Sequence, residues 1–269
     1  MPNWAYLGVR GNFRKKNMSL YPTTLFHFTD KESLYDILNH NFKVSYAREK
    51  IIGPNNYREF AVPMVSFCDL KLSELKHFMS YGKFGIGLTK DWANRNGLSP
   101  VMYINRHCQL MDNLISGISG VYMHLGLVDN STQFNSLNKS YLNIMNTYRY
   151  IKNYDGELWR HGKLENDNYR FADEREWRFV PDLNTVGIAP FVGISNIKTK
   201  KQKEEYNAKV SHIRLTFSPD DIKYLVVEKD EDITELISHL HGSKRRFEID
   251  TRNRLASRIL TSEQIEKDI

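Results

Sequence analysis

Three stretches of this 269-residue chain carry residue types able to do covalent chemistry. In Glu174-Arg175-Glu176-Trp177-Arg178-Phe179-Val180 the two glutamates are two positions apart, so on a strand they share one face. Like charges on one face repel unless cations or a binding site hold them. Arg175 and Arg178 offer the cations. The other use of such a pair is a fixed carboxylate that stabilises a cationic, oxocarbenium-like sugar and grips its 2-hydroxyl. His27 stands between Phe26 and Phe28, either bonded to backbone in a mixed core or offering a ring nitrogen to a ligand. Tyr81-Gly82 follows His77 and precedes a glycine-rich stretch. Its flat ring beside open backbone suits stacking on another ring, or ordinary core packing.

Other chemistries drop out. No Gly-x-x-x-x-Gly-Lys-Ser/Thr loop is present, so a P-loop nucleotide hydrolase is excluded. Gly82-Lys83-Phe84-Gly85-Ile86-Gly87 sits before and within an apolar run instead of opening a helix, which rejects the dinucleotide fingerprint. There is no His-Glu-x-x-His or Cys-x-x-Cys pair, and His239-x-His241 reads as a surface pair. No metal site is expected. Cys68 and Cys108 are too few for a disulfide framework.

The elements that must position these residues are short and mixed. Leu25–Phe28 reads as a strand, and Thr29 or Asp30 caps a helix with Leu34, Ile37 and Leu38 at helical spacing. Phe42–Tyr46 alternates like a strand before the turn Gly53-Pro54-Asn55-Asn56. Val62–Phe67, Phe84–Leu88, Val101–Ile104 and Glu176–Val180 are further strands, with short helices at Leu72–Phe78 and from Thr89. Residues 107–150 read as mostly helical and 151–172 as polar and loop-like. Late strands at Ile213–Phe217 and Ile222–Val227 flank Ser218-Pro219-Asp220-Asp221, and helices follow at Asp232–Leu240 and Thr261–Lys267. The expected class is α+β in one domain, 1–269, with a mainly helical insertion at about 107–170.

Charge is modest, 38 basic against 32 acidic residues, a net +6. The excess gathers in Lys198-Thr199-Lys200-Lys201-Gln202-Lys203, in Lys244-Arg245-Arg246, and in Arg10, Arg14, Lys15 and Lys16. Such clusters are either solvated surface or contacts for a polyanion. No apolar run is long enough to span a membrane and no leader is visible at the start, so a cytoplasmic protein without membrane contact is expected.

Leu25-Phe26-His27-Phe28-Thr29-Asp30 with Ser33–Leu38, Ala61-Val62-Pro63-Met64-Val65-Ser66-Phe67-Cys68-Asp69, and Tyr81–Leu88 together resemble the AbiGi-type abortive phage-infection proteins. With Glu174–Arg178 and the late strands, the resemblance covers most of the chain; Met64–Asp69 and Tyr81–Leu88 are its most specific parts. That family is labelled an antitoxin of a phage-exclusion pair. More distantly, a histidine strand, a helix, an aromatic and a Glu-x-Glu strand in that order resemble the ADP-ribosyltransferase fold, a split, twisted sheet with flanking helices. In its histidine-tyrosine-glutamate branch the histidine holds the ribose of NAD, the tyrosine stacks on nicotinamide and the glutamate is catalytic.

Position by position, the resemblance gives His27 the first role, Tyr81 the second and Glu176 the third, with Glu174 assisting. Thr29 and Ser66 join the NAD-binding set, and Arg48 would contact the pyrophosphate. Tyr46, Tyr57 and Tyr103 are alternatives to Tyr81, which precedes its glycine strand. His27-x-Thr29 also resembles the nucleic-acid-modifying members, including DNA-targeting toxins. The implied function is an NAD-dependent mono-ADP-ribosyltransferase toxin of an anti-phage system, acting on nucleic acid, with RNA ahead of DNA, and countered by a cognate antitoxin protein. The alternatives are a non-enzymatic antitoxin or interaction module, and an NAD glycohydrolase.

Overall fold

A computed structural model describes residues 22–160, 162–185, 187–242 and 248–268. The basic residues Arg10, Arg14, Lys15, Lys16, Lys244, Arg245 and Arg246 lie outside the described residues. In chain order, β1 (Thr24–Thr29) leads through α1 (Lys31–His40) to β2 (Phe42–Lys43), β3 (Ser45–Ile52) and the long β4 (Tyr57–Cys68). Two 3-10 turns, Leu72–His77 and Met79–Tyr81, precede β5 (Phe84–Thr89), α2 (Lys90–Arg95), β6 (Ser99–Pro100) and β7 (Met102–Ile104). The middle holds α3 (Leu110–Leu125), α4 (Ser131–Met145), β8 (Ile151–Asn153) and a hairpin of β9 (Gly156–Arg160) and β10 (Lys163–Tyr169). Then come β11 (Glu176–Phe179), β12 (Val192–Gly193), α5 (Lys200–Lys209), β13 (Arg214–Leu215) and β14 (Ile222–Val227). The chain closes with α6 (Asp230–Gly242), α7 (Ile249–Ala256), β15 (Ile259–Thr261) and α8 (Ser262–Asp268).

Local chemistry explains the elements nearest the site. Asp30 caps α1 by accepting from the Ser33 N–H at 2.7 Å, and α1 buries Leu34, Ile37 and Leu38. β5 lies directly against β1, and a Cβ at Gly87 would stand 2.8 Å from the Phe26 ring. Only glycine leaves that ring room.

Among the described residues a nine-stranded sheet runs β15-β14-β5-β1-β4-β11-β6, with β3 and β12 also on β4. Backbone bonds tell the two edges of β4 apart. Glu176 pairs with Cys68, yet its N–H goes to Tyr103 Oη and its carbonyl to Val101, away from β4. Backbone groups alternate sides along a strand, so Cys68, Ser66 and Met64 turn theirs toward β1. Tyr46, opposite Pro63, likewise sends its N–H away from β4, to Asn207. Ser45, opposite Met64, therefore faces β4, and β3 lies on the same edge as β1. β1 meets β4 at Cys68 and β3 takes over at Met64; between them the sheet is split. Pro63 faces the other edge, between β11 opposite Val65 and β12 opposite Ala61, where its missing N–H loses no ladder bond.

The two faces carry different cores. Leu25, Leu34, Phe42, Phe67 and Trp92 pack on one face. On the other, Ile51, Phe60, Val62 and Met64 pack with Met111, Ile118 and Tyr148, while Phe26, Leu75, Phe78, Val226 and Ile265 form a separate cluster. A charged cleft lies between these last two.

The mixed α+β class stands, with four local corrections. Residues 151–172 are not loop-like: β8 pairs in parallel with β7, and β9 and β10 form a hairpin. Phe42–Tyr46 is interrupted at Val44, because β2 leaves to pair with β13 while β3 pairs with β4. The strand at Ile213–Phe217 shrinks to Arg214–Leu215, whose one partner is the two-residue β2. The Leu72–Phe78 helix is a 3-10 turn.

Candidate functional site

A cleft of about 250 Å³ opens at the split. His27, Ser66, Tyr81, Glu174 and Glu176 all line it, with Phe28 and Phe78. A neighbouring hollow of about 550 Å³ shares His27, Ala47, Met64 and Ser66 with it and adds Thr29 and Lys43.

Glu176 lies at the centre and is 5% exposed. Its Oε1 accepts from Ser66 Oγ at 2.7 Å and Arg178 Nε at 2.7 Å; Oε2 accepts from Arg178 Nη2 and Lys152 Nζ, both at 3.0 Å. Burial works against its charge, but Arg178 and Lys152 hold the carboxyl well below the usual carboxylate range. Arg178 is fully buried and also donates to Glu49 Oε1 at 2.8 Å and to the Arg149 carbonyl at 3.1 Å. Burial likewise opposes the charge of Lys152, yet Glu176, Glu174 and Glu49 keep it protonated, its pKa well above normal. Glu49 differs: burial pushes its carboxyl upward despite Arg178 and Lys152. Three carboxyl groups thus face two cations, and Glu49 is the one whose charge burial opposes most.

Glu174 reaches this cluster by an unexpected route. It is not on β11 but ends a 3-10 turn, Phe171–Glu174, and Arg175 then takes the left-handed region at φ 43°. That turn, not strand alternation, brings Glu174 Oε2 to Lys152 Nζ at 2.8 Å and its other oxygen to the Tyr81 hydroxyl. Arg175 leaves the pair altogether and bridges to Glu74 at 3.3 Å.

Tyr81 closes the 3-10 turn Met79–Tyr81, and burial with the Glu174 charge pushes its phenol up to about 12. The Arg160 guanidinium of β9 stands 3.9 Å from the centre of its ring. His27 lies on the face opposite Glu176, between the Phe42 and Phe67 rings, and reaches the cleft through the split. Its Nδ1 meets the Ser66 carbonyl at 2.8 Å, so that nitrogen carries the hydrogen. Burial lowers its pKa, and the neutral ring keeps Nε2 as an acceptor for a hydroxyl. Cys68 also lines the cleft, but burial pushes its thiol far up, so it is a poor nucleophile.

Other expected positions move. Arg48 points away from the cleft and is held by Glu59, with Nη2 at 2.7 Å, so it is not placed for a pyrophosphate. Thr29 lines the neighbouring hollow instead of the cleft. Tyr46 is bonded to Ala189 on the opposite face, and Tyr57 lies at the far end of β4, 62% exposed. Tyr103 touches the site through the Glu176 N–H. The cleft also holds Lys152 and Glu49, which are not among the residues expected from the sequence. For Glu49 a signal existed: Ala47, Glu49 and Ile51 recur with period two on one face of a strand. No group of three or more His, Cys, Asp or Glu able to hold a metal occurs among the described residues, and no described helix is long and apolar enough to cross a membrane.

The family model described as putative abortive phage resistance protein AbiGi, antitoxin, matches residues 37–228, beginning after His27 and Thr29. The abortive phage resistance protein AbiGi of Lactococcus lactis subsp. cremoris is 28% identical over 229 residues, covering 78% of this chain and 90% of that protein. No solved structure matches the chain. The family match takes in β3, β4, the Tyr81 turn, β8 and β11, which carry the charged cleft, and the chain belongs to the AbiGi family of abortive phage resistance proteins.

Proposed function

We propose that this protein is an NAD-dependent mono-ADP-ribosyltransferase serving an abortive-infection defence, with nucleic acid as acceptor and a cognate antitoxin as partner. One observation carries the reading: His27, Tyr81 and Glu176, far apart in sequence, line one cleft with Ser66 and Glu174. The residues fit the nicotinamide-ribose end of NAD. Rings of Phe28, Phe78 and Tyr81 suit a flat cationic ring, and the ionised Glu176 carboxylate suits a ribosyl cation. The neighbouring hollow has Lys43 and the hydroxyls of Thr29, Ser33 and Ser45 for phosphate, against Glu32 and Asp36.

In this mechanism Glu176, pinned by Arg178 and Lys152, needs no reorganisation to oppose positive charge developing at the ribose C1. His27 Nε2 orients a ribose hydroxyl, and Tyr81 and Phe28 shield the bond being broken from water. The test is labelled NAD incubated with the protein and total cellular RNA, DNA and protein. Label on one polymer names the acceptor, free ADP-ribose alone names a hydrolase, and intact NAD removes the enzymatic reading.

A non-enzymatic antitoxin or docking module is the second reading. Four donors already occupy Glu176, and the matching family description contains the word antitoxin. The α3–α4 pair also exposes Tyr122, Met123 and Phe134, side chains suited to a protein partner.

A further inference from the structure

Glu49 is the cleft carboxylate with the least compensation. Among the described residues its one hydrogen-bond donor is Arg178 Nη2 at 2.8 Å, while Glu176 has four donors and Glu174 is held by Lys152 and Tyr81. It also has a distinct place. Along β4 the aromatic end of the cleft lies beside Cys68, which pairs with Phe26. Ala47 and Glu49 approach from β3, whose partners are Val62 and Phe60, at the other end. A nucleophile displacing a ring stacked at the aromatic end enters from the side opposite that ring, which is the Glu49 side.

We propose that Glu49 is the general base that takes the proton of the incoming nucleophile. The proposal rests on the transferase reading and adds the residue that activates the acceptor. The acceptor hydroxyl, or water in a hydrolase, forms a bond from its oxygen to ribose C1. The C1–nitrogen bond to nicotinamide breaks, and its electron pair neutralises the ring. The hydroxyl proton passes to a Glu49 oxygen and later leaves to solvent. Charge and atoms balance without a further reactant.

The surroundings suit the role. Facing Glu49 are Arg178 and Glu176 from β11, Lys152 from β8, and Glu174; Arg48 and Lys50 of its own strand point to the other side, toward Glu59 and Tyr57. Burial raises the Glu49 carboxyl above the ordinary carboxylate range, and a more basic carboxylate is the better proton acceptor. Glu176 is shifted the opposite way, and such divergence separates a proton carrier from a permanently charged stabiliser.

The test compares nicotinamide release by the parent, Glu49→Gln, Glu49→Asp and Glu49→Ala across pH 4 to 9, with NAD binding and thermal unfolding measured beside it. Glu49→Gln is expected to bind NAD like the parent and to lose on the order of a hundredfold to ten-thousandfold in rate. The acid limb of the parent's pH profile should disappear with it. Glu49→Asp should keep that limb at a reduced rate, and azide should restore turnover to Glu49→Ala by attacking C1 without needing a base. A folded Glu49→Gln protein with the parent's rate and pH profile overturns the role of Glu49 and leaves the transferase reading intact. If Glu49→Gln unfolds, Glu49→Asp and azide rescue decide; a Glu49→Asp protein with the parent's rate, or one whose profile has lost the acid limb, or failed rescue, overturns the role. A parent that releases no nicotinamide with any acceptor overturns both.

Discussion

Two groups of charge lie on opposite faces of β3, and they do opposite things. On the Glu49 side, Glu49, Lys152, Glu174, Glu176 and Arg178 are gathered from four segments and withdrawn from water. On the Tyr46 side lies α5, capped by Thr199, whose Tyr206 packs edge-on against Tyr46. Its lysines form the densest basic run in the described chain, yet they point into solvent; Lys200 is 3.9 Å from Glu204 with 92% of its side chain exposed. Charges adjacent in sequence repel and spread into water. Charges brought together by folding can be desolvated, and only those interact strongly.

The difference can be broken first at Arg178. Arg178→Ala leaves Glu49 and Glu176 buried without their main partner and should cost about 3–5 kcal/mol of stability by denaturant unfolding. A loss under about 1 kcal/mol would mean that water reaches this side after all. Glu176→Gln should keep the fold, while NAD cleavage falls on the order of a hundredfold or more. Unchanged turnover in the folded variant removes the stabilising role. Glu174→Gln should leave NAD cleavage largely in place, since its partners are Lys152 and Tyr81.

Tyr81→Ala should weaken NAD binding roughly five- to hundredfold, the equivalent of about 1–3 kcal/mol of stacking. His27→Ala should act in the same direction, and calorimetric titration that finds both variants equal to the parent places the ligand elsewhere. The pH dependence has a sign for each carboxylate. The folded pKa of Glu176 is depressed, so its contribution is present above about 4.3, the ordinary value, and is lost as pH falls further. Glu49 is raised, so its burial penalty is present at neutral pH and relieved on acidification. Glu49→Gln should therefore raise the melting temperature at pH 7 and do so less at pH 4.

The smallest effect belongs to α5. Neutralising Lys198, Lys200, Lys201 and Lys203 should change stability by no more than about 0.5 kcal/mol. If this segment binds a single strand, each lost phosphate contact lowers the log–log salt slope of acceptor binding by about 0.7, while NAD affinity stays put. A parent slope near zero rules out a nucleic-acid acceptor.

The sequence made some of this legible for identifiable reasons. β1, the Asp30-capped α1, β4 and β5 are apolar runs closed by turn or capping residues, and their order survives in the structure. His27, Ser66, Tyr81, Glu174 and Glu176 share the cleft, though the roles that the resemblance gives them await the assays above. Lys152 was illegible because Ile151-Lys152-Asn153 is a three-residue strand inside a polar segment, too short to show a period. Arg48 drew attention as a cation near the site, but alternation puts Glu49 inward and Arg48 outward. The convergence of Glu174 depends on the left-handed backbone at Arg175, which no side-chain pattern announces.

β4 serves two ladders at once, and amide exchange can read them separately. Val62 and Phe60 direct their N–H groups toward β3, while Phe67 and Val65 direct theirs toward β11. Deuterium uptake at alternate positions of one twelve-residue strand therefore reports on different neighbours. If β11 frays while β3 stays paired, only the second set exchanges early. Since β4 cannot leave the sheet while either edge holds, amides in both sets that exchange only with the whole molecule would mark it as the most protected strand of the fold.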